Sequence, residues 1–174
     1  MALLERVMIR NFRNIESKAL DLGIKNTIEG KNMSGKTNTL NAIHWAFTGK
    51  TLDGSTDNRS NFPIKGGSKT SVTLDFGDFK FCRICEMVDG TPSVTVWFDG
   101  EECESIKNGE ARLHAKLGLS DIIIQYPKFD IVRFLLNPLY FDTVAPKDLR
   151  KFFYGLANID FNDIEAQQNQ KTQD

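Results

Sequence analysis

Three features of this 174-residue sequence predict an α/β fold built around a phosphate-binding loop. The stretch "IEGKNMSGKT" satisfies G-x-x-x-x-G-K-[ST] through Gly30, Gly35, Lys36 and Thr37. Hydrophobic spacing changes there, from strand-like alternation before the loop to helical spacing after it. Downstream, "SVTLDF", "FKFCRICEMV" and "SVTVWF" are β-rich runs set apart by Gly77-Asp78, Asp89-Gly90 and Asp99-Gly100, dipeptides that favour tight hairpins. They read as an antiparallel β meander.

In chain order, "LERVMIRNFRNIESKALDL" alternates through Val7, Ile9 and Phe12 and resumes at Ala19 and Leu20, which predicts an N-terminal hairpin. "IKNTIEG" reads as a short strand ending at Gly30. From Gly35 the spacing predicts a helix with Leu40, Ile43, His44 and Phe47 on one face and Gly49 as its C-terminal cap. On that helix Phe47 is expected in the core and His44 at a half-buried edge. With Trp45, they are explained by helical spacing rather than by an aromatic nucleotide site.

"KTLDGSTDNRSNFPIKGGSKT" is a long, polar, glycine-rich loop, a binding loop or a mobile one, and Asp53 to Lys69 is expected to be the most mobile internal stretch. After the meander, "NGEARLHAKLGL" predicts a helix stopped by Gly118, and "FDIVRFLL" reads as a buried strand. "PKDLRKFFYGLANI" predicts a helix starting at Pro146 with Leu149, Phe152, Phe153 and Leu156 on one face. The final "FNDIEAQQNQKTQD" loses its apolar content and has the character of a cut or frayed end.

Bulk composition narrows the function classes. With 22 basic against 23 acidic residues, the chain as a whole carries no electrostatic footprint for nucleic acid or an anionic membrane, so such a partner needs a local patch. Met1 to Lys50 holds eight basic and four acidic residues, and the loop lies in that basic end. There is no charged and then apolar leader and no apolar run near the roughly 20 residues of a membrane span, so a cytoplasmic protein without a membrane partner is expected. The 3 cysteines, Cys82, Cys85 and Cys103, fit a reducing compartment. Cys82 and Cys85 form C-x-x-C, but residues three apart on a strand face opposite ways and no second pair completes four ligands.

The loop's chemistry requires its residue types. Glycines permit backbone conformations that a side chain obstructs, Lys36 supplies a point charge to nucleotide β/γ-phosphates, and the Thr37 hydroxyl can ligate Mg²⁺. The backbone N–H groups from Asn32, Met33 and Ser34 through Gly35 and on to Asn38 form the cradle, with the positive end of the following helix behind them. Binding is not hydrolysis, which also needs a strand-terminal acid for the metal and a group that orients water. The sequence has no Asp-Glu dipeptide, and its nearest apolar run, "DIIIQYP", ends in Gln125 and Tyr126. A serine-glycine signature of the L-S-G-G-Q type is likewise absent. The chain reads as one half of an active site.

Taken together, "ERVMIRNFRNIES", "NTIEGKNMSGKTNTLNAIHWAFTGK" and "PKDLRKFFYGLANI" resemble the N-terminal ATPase lobe of the SMC, RecF and SbcC-like ATPases, the superfamily that includes the ATPase of the double-strand-break repair nuclease complex. The resemblance is most specific over Glu5 to Lys50 and recognisable over Leu135 to Ile159. It implies a P-loop NTPase half-domain of an ABC-type head over residues 1–160, followed in 161–174 by the start of a truncated coiled coil. It further implies ATP and Mg²⁺ as cofactors and a C-terminal lobe that brings the signature motif and the Mg²⁺-binding acid. The implied partners are a second ATPase head, DNA and a nuclease subunit.

By the same resemblance Lys36 and Thr37 keep their P-loop roles, Arg13 of "NFRN" contacts nucleotide phosphate from the first hairpin, and Asn14 sits beside it. The family's Q-loop glutamine, which helps hold Mg²⁺, falls near Asn137 of "LLNPLYF", an amide one methylene shorter; Gln125 is the other candidate. Arg59 lies where SMC-type proteins carry an arginine implicated in DNA-stimulated hydrolysis, against the alternative of a solvated loop residue.

Two other classes stay open. One is a stand-alone P-loop switch, regulator or small-molecule kinase; the other is a non-catalytic protein that keeps a P-loop fold for assembly. A reading frame continuing into heptads and an acid-terminated strand favours the half-head, and a natural stop near Asp174 favours the others.

Overall fold

A computed structural model describes residues 2–63, 66–126, 130–136 and 144–156 of the protein. They belong to two compact units, Met1–Ser120 and Asp121–Asp174. The first holds a six-stranded antiparallel sheet made of β1 (Arg6–Phe12), β2 (Ile15–Asp21), β3 (Lys69–Asp75), β4 (Lys80–Val88), β5 (Thr91–Phe98) and β6 (Glu101–Glu102), in the order β2-β1-β3-β4-β5-β6. The predicted hairpin and meander are both present, joined because β1 pairs with β3 as well as with β2; Val7 stands between Leu20 and Leu74. At Asp89-Gly90 (φ 51 and 76) and Asp99-Gly100 (φ 54 and 86) both turn residues have the positive φ that a tight primed turn requires.

One sheet face is apolar: Val7, Ile9, Val72, Leu74, Phe81, Val96 and Phe98 are buried there. Helix α1 (Lys36–Thr48) packs on β1 and β3, and helix α2 (Ile106–Lys116) packs on β5. The α2 contact depends on Gly109, where an added Cβ would stand 2.5 Å from Val96 Cγ2. Helix α1 ends as expected at Gly49 (φ 70), whose N–H donates to the Trp45 carbonyl.

Its buried face differs from the expected stripe. Ala42, Trp45, Ala46 and Phe47 are buried, whereas Leu40 is 47% exposed. Two alanines let the helix backbone approach the sheet while the Trp45 ring reaches Phe12, with centroids 5.8 Å apart; a stripe drawn through the larger aliphatic residues misses this. His44 is fully buried rather than half-buried, because its Nδ1 lies 2.8 Å from the Lys50 carbonyl oxygen and satisfies the turn after the helix.

The segment "IKNTIEG" also departs from the expected strand. Residues 22–30 form no strand; Ile24 is 95% exposed and, among the described residues, this backbone joins no strand ladder beyond the Leu22 N–H that donates to the Glu5 carbonyl at 2.7 Å. Apolar content without a hydrogen-bonding neighbour does not make a strand. The long loop after α1 is organised in its first half. Asp53 accepts from the Thr51 hydroxyl and the Ser55 N–H, Asp57 caps a 3-10 turn at Asn58–Asn61, and Trp45 Nε1 donates to Asn58 Oδ1 at 2.8 Å.

The unit 121–174 is helical where it is described: α3 (Ser120–Gln125), α4 (Ile131–Leu136) and α5 (Pro146–Leu156). The segment expected to be a buried strand, "FDIVRFLL", therefore contributes a helix. Asp130 starts it, its side chain accepting from the Arg133 N–H at 3.0 Å and its carbonyl from the Phe134 N–H. A short apolar run carries no period that separates strand from helix, and the capping acid decides. Helix α5 begins at Pro146 as predicted. Phe152 is its core residue, meeting Tyr126 and Phe134 edge-on at 5.3 and 6.1 Å, while Phe153, assigned to the same face, is 43% exposed. The predicted polar tail, residues 161–174, lies outside the described residues.

Candidate functional site

The loop from Gly30 to Gly35 folds back onto itself before α1. Gly30 (φ 153) and Gly35 (φ 87) adopt backbone conformations that L side chains rarely take, and a Cβ on Gly30 would meet Ser34 Oγ at 2.7 Å. Ser34 N–H donates to the Lys31 carbonyl, and Thr39 N–H and its hydroxyl both donate to the Gly35 carbonyl, which ties the loop to the first turn of the helix. Lys36 turns into the loop, its ammonium donating to the carbonyls of Gly30 (2.6 Å) and Lys31 (2.8 Å). An ammonium has three donors, so one remains for an anion. A cavity of about 520 Å³ is lined by Asn32, Met33, Gly35, Lys36, Thr37 and Asn38 on the loop and helix side and by Asn14 from the β1–β2 turn.

Seven of the nine residues expected at the site thus line one cavity. Ser34 lies on the same loop with its side chain exposed. Arg13 stands one hydrogen bond behind the wall, its Nη1 donating to Asn38 Oδ1 at 3.3 Å. Its main-chain N–H donates to the Asn61 carbonyl, and its guanidinium lies 5.6 Å from the Phe12 ring centroid. Sequence reasoning missed the supports of this arrangement: Lys18, whose ammonium donates to the Thr39 hydroxyl at 3.2 Å, the buried Asn61, and Asp53. The Thr51 hydroxyl and then the Ser55 N–H hold the Asp53 carboxyl below its ordinary range, and the Arg13 charge adds to this. Asn61 and Asp53 lie far from Arg13 in sequence, and Lys18 lies 21 residues from Thr39, so no local motif marks them.

For Mg²⁺, the chain offers Thr37. Its side chain is exposed at the cavity, and among the described residues its hydroxyl has no partner, so it suits an oxygen ligand to a hard cation that also takes phosphate oxygens. Asn137, the other expected metal ligand, lies outside the described residues. Gln125 is exposed at the end of α3, and Arg59 is exposed on the 3-10 turn, its N–H held by the Asp57 carboxylate. No group of three or more His, Cys, Asp or Glu side chains gathers among the described residues. The cysteines are free thiols, Cys85 buried and Cys82 half-exposed.

A glycine loop that closes on its own lysine at the start of a helix, beside an antiparallel sheet, defines a P-loop NTPase lobe of α/β class. The chain belongs to the AAA_23 family of AAA domains, which it matches over residues 6–170. That family and the likeness to RecF with ATP, at 25% identity, bear out the SMC/RecF-like resemblance. Among solved structures it is similar to the recombination mediator protein RecF with ATP, of the RecFOR pathway, at 25% identity and a TM-score of 0.50, over 59% of this chain and 29% of that one. RecF with ATPrS matches at 24% identity and a TM-score of 0.49, over 59% and 28%. The chain thus spans less than a third of the length of these RecF chains. No curated protein matches the sequence. Among the described residues no helix is long and apolar enough to cross a membrane.

Proposed function

We propose that this chain is the ATP-binding N-terminal lobe of an SMC/RecF/SbcC-like ATPase that acts in DNA repair, recombination or replication in the cytoplasm. The observation that carries this reading is Lys36, held by the Gly30 and Lys31 carbonyls at the mouth of a glycine loop, with Thr37 beside it at the cavity. ATP would bind with its β- and γ-phosphates on the loop N–H groups and the third Lys36 donor. Mg²⁺, held by Thr37, would neutralise charge on those phosphate oxygens. Residues 1–160 form the lobe in this reading and 161–174 start a coiled coil.

Hydrolysis belongs to the assembled head. A C-terminal lobe supplies the acid and the signature serine, a second head closes over the γ-phosphate, and DNA and a nuclease subunit are partners of the whole protein.

The test is phosphate release across a protein dilution series, with Lys36→Ala as the control for contaminating ATPase. Turnover near background is expected for this chain alone. Activity that depends on Lys36 and rises more than linearly with concentration is expected once the missing lobe is supplied. Robust Lys36-dependent turnover by the 174-residue chain at high dilution would replace the half-head by a self-contained enzyme.

A further inference from the structure

Two non-glycine residues at the site hold left-handed backbone conformations, Arg13 in the β1–β2 turn (φ 53) and Met33 in the loop (φ 66). Surrounding contacts must hold such residues in place. A single hydrogen-bond chain joins them. Arg13 Nη1 donates to Asn38 Oδ1 at 3.3 Å, Asn38 Nδ2 donates to Asn14 Oδ1 at 2.7 Å, and Asn14 Nδ2 donates to the Met33 carbonyl at 3.4 Å.

The direction of this chain is set at both ends. A guanidinium only donates and a carbonyl only accepts, so each amide must accept with its oxygen on the Arg13 side and donate with its nitrogen on the Met33 side. Flipping either asparagine would face donor to donor or acceptor to acceptor. Holding the Met33 carbonyl fixes the plane of the peptide that carries the Ser34 N–H, because the peptide unit is planar. Bonds in series also polarise one another, so the Arg13 charge strengthens the contact at its far end.

We propose that Asn38 and Asn14 are positioning residues that couple Arg13 to the Met33 step of the loop, so that the arginine and the shape of the phosphate cradle are set as one unit. The inference rests on the ATP-binding reading of the site. It adds that the two asparagines act through Arg13 and Met33 rather than as ligands of the nucleotide.

The experiment compares the parent chain with Asn38→Ala, Asn38→Asp, Arg13→Ala and the Asn38→Ala/Arg13→Ala double variant in ATP titrations. It also follows the Arg13 Nε–H resonance of the nucleotide-free protein, assigned by its loss in Arg13→Ala. That nitrogen is buried with no hydrogen-bond partner among the described residues, so its proton reports on its setting. Asn38→Asp is nearly isosteric; it still accepts from Arg13 but cannot donate to Asn14, and it serves if the alanine variant fails to fold.

Each single variant is expected to weaken ATP binding by about fivefold to tenfold, the worth of one hydrogen bond in such a setting. The double variant is expected to bind no more weakly than the worse single, and the Arg13 resonance to move in Asn38→Ala. Additive losses, or an Asn38→Ala chain with parental affinity and an unmoved Arg13 resonance, would overturn the coupling. If the parent itself fails to bind ATP, the ATP reading falls. The resonance then decides the coupling alone: a shift upholds it and its constancy refutes it.

Discussion

Arg83 Nε donates to the carbonyl of Ala46 at 3.1 Å, so a buried side chain of β4 holds the C-terminal turn of the helix that begins at the phosphate loop. The same guanidinium donates through Nη2 to Glu110 of α2 at 2.6 Å and lies 5.9 Å from the Trp45 and Phe81 ring centroids. Burial lowers its pKa, and the Glu110 carboxylate works against that shift. A positive charge at a helix C-terminus is also favoured by the helix dipole.

Removing the counter-ion should expose the cost of this buried charge. Glu110→Ala is expected to destabilise the protein by about 3 kcal/mol in denaturant unfolding, while Arg83→Met combined with Glu110→Gln should lose less, since no unpaired charge then remains inside. Equal losses would show that packing rather than charge governs the contact.

Lys36→Ala should abolish ATP binding in calorimetry and leave the thermal midpoint within a few degrees of the parent. Lys36 bonds only loop carbonyls and contributes nothing to the apolar core. A variant that binds ATP as well as the parent would refute the role of the loop.

Gly109→Ala places a Cβ 2.5 Å from Val96 Cγ2. A loss of about 1–3 kcal/mol is expected from this overpacking, partly recovered by Val96→Ala in the same chain. No recovery would mean that α2 is positioned by something other than its contact with β5.

Burial pushes the Cys85 thiol up to about 11, and burial also raises Cys82. At pH 8 the folded protein should therefore alkylate slowly at Cys82 and more slowly still at Cys85, which is fully buried while Cys82 is half-exposed. Thiolate forms as the pH rises through the folded-state pKa, so the Cys85 rate should climb towards pH 11, and denaturant at pH 8 should equalise the two sites. Mass spectrometry after timed labelling reads both.

Local chemistry made much of this protein legible without coordinates. Gly30, Gly35, Lys36 and Thr37 stand at a spacing that only a phosphate loop requires. Asp89-Gly90 and Asp99-Gly100 accept the positive φ of tight turns, and Gly49 and Pro146 mark helix ends because one tolerates φ 70 and the other has no N–H to donate. Each of these depends on the residue and its immediate neighbours.

Tertiary structure decided what depends on distant partners. Whether residues 22–30 become a strand depends on a neighbouring strand to accept their hydrogen bonds, and which side of α1 is buried depends on where β1 and β3 lie. The placing of Arg13 behind Asn38, rather than on the cavity wall, required two residues 25 positions apart to be brought together by the fold. A sequence pattern records a residue's own preferences, but a hydrogen bond or a packed ring needs the second partner, and only the folded chain brings the two together.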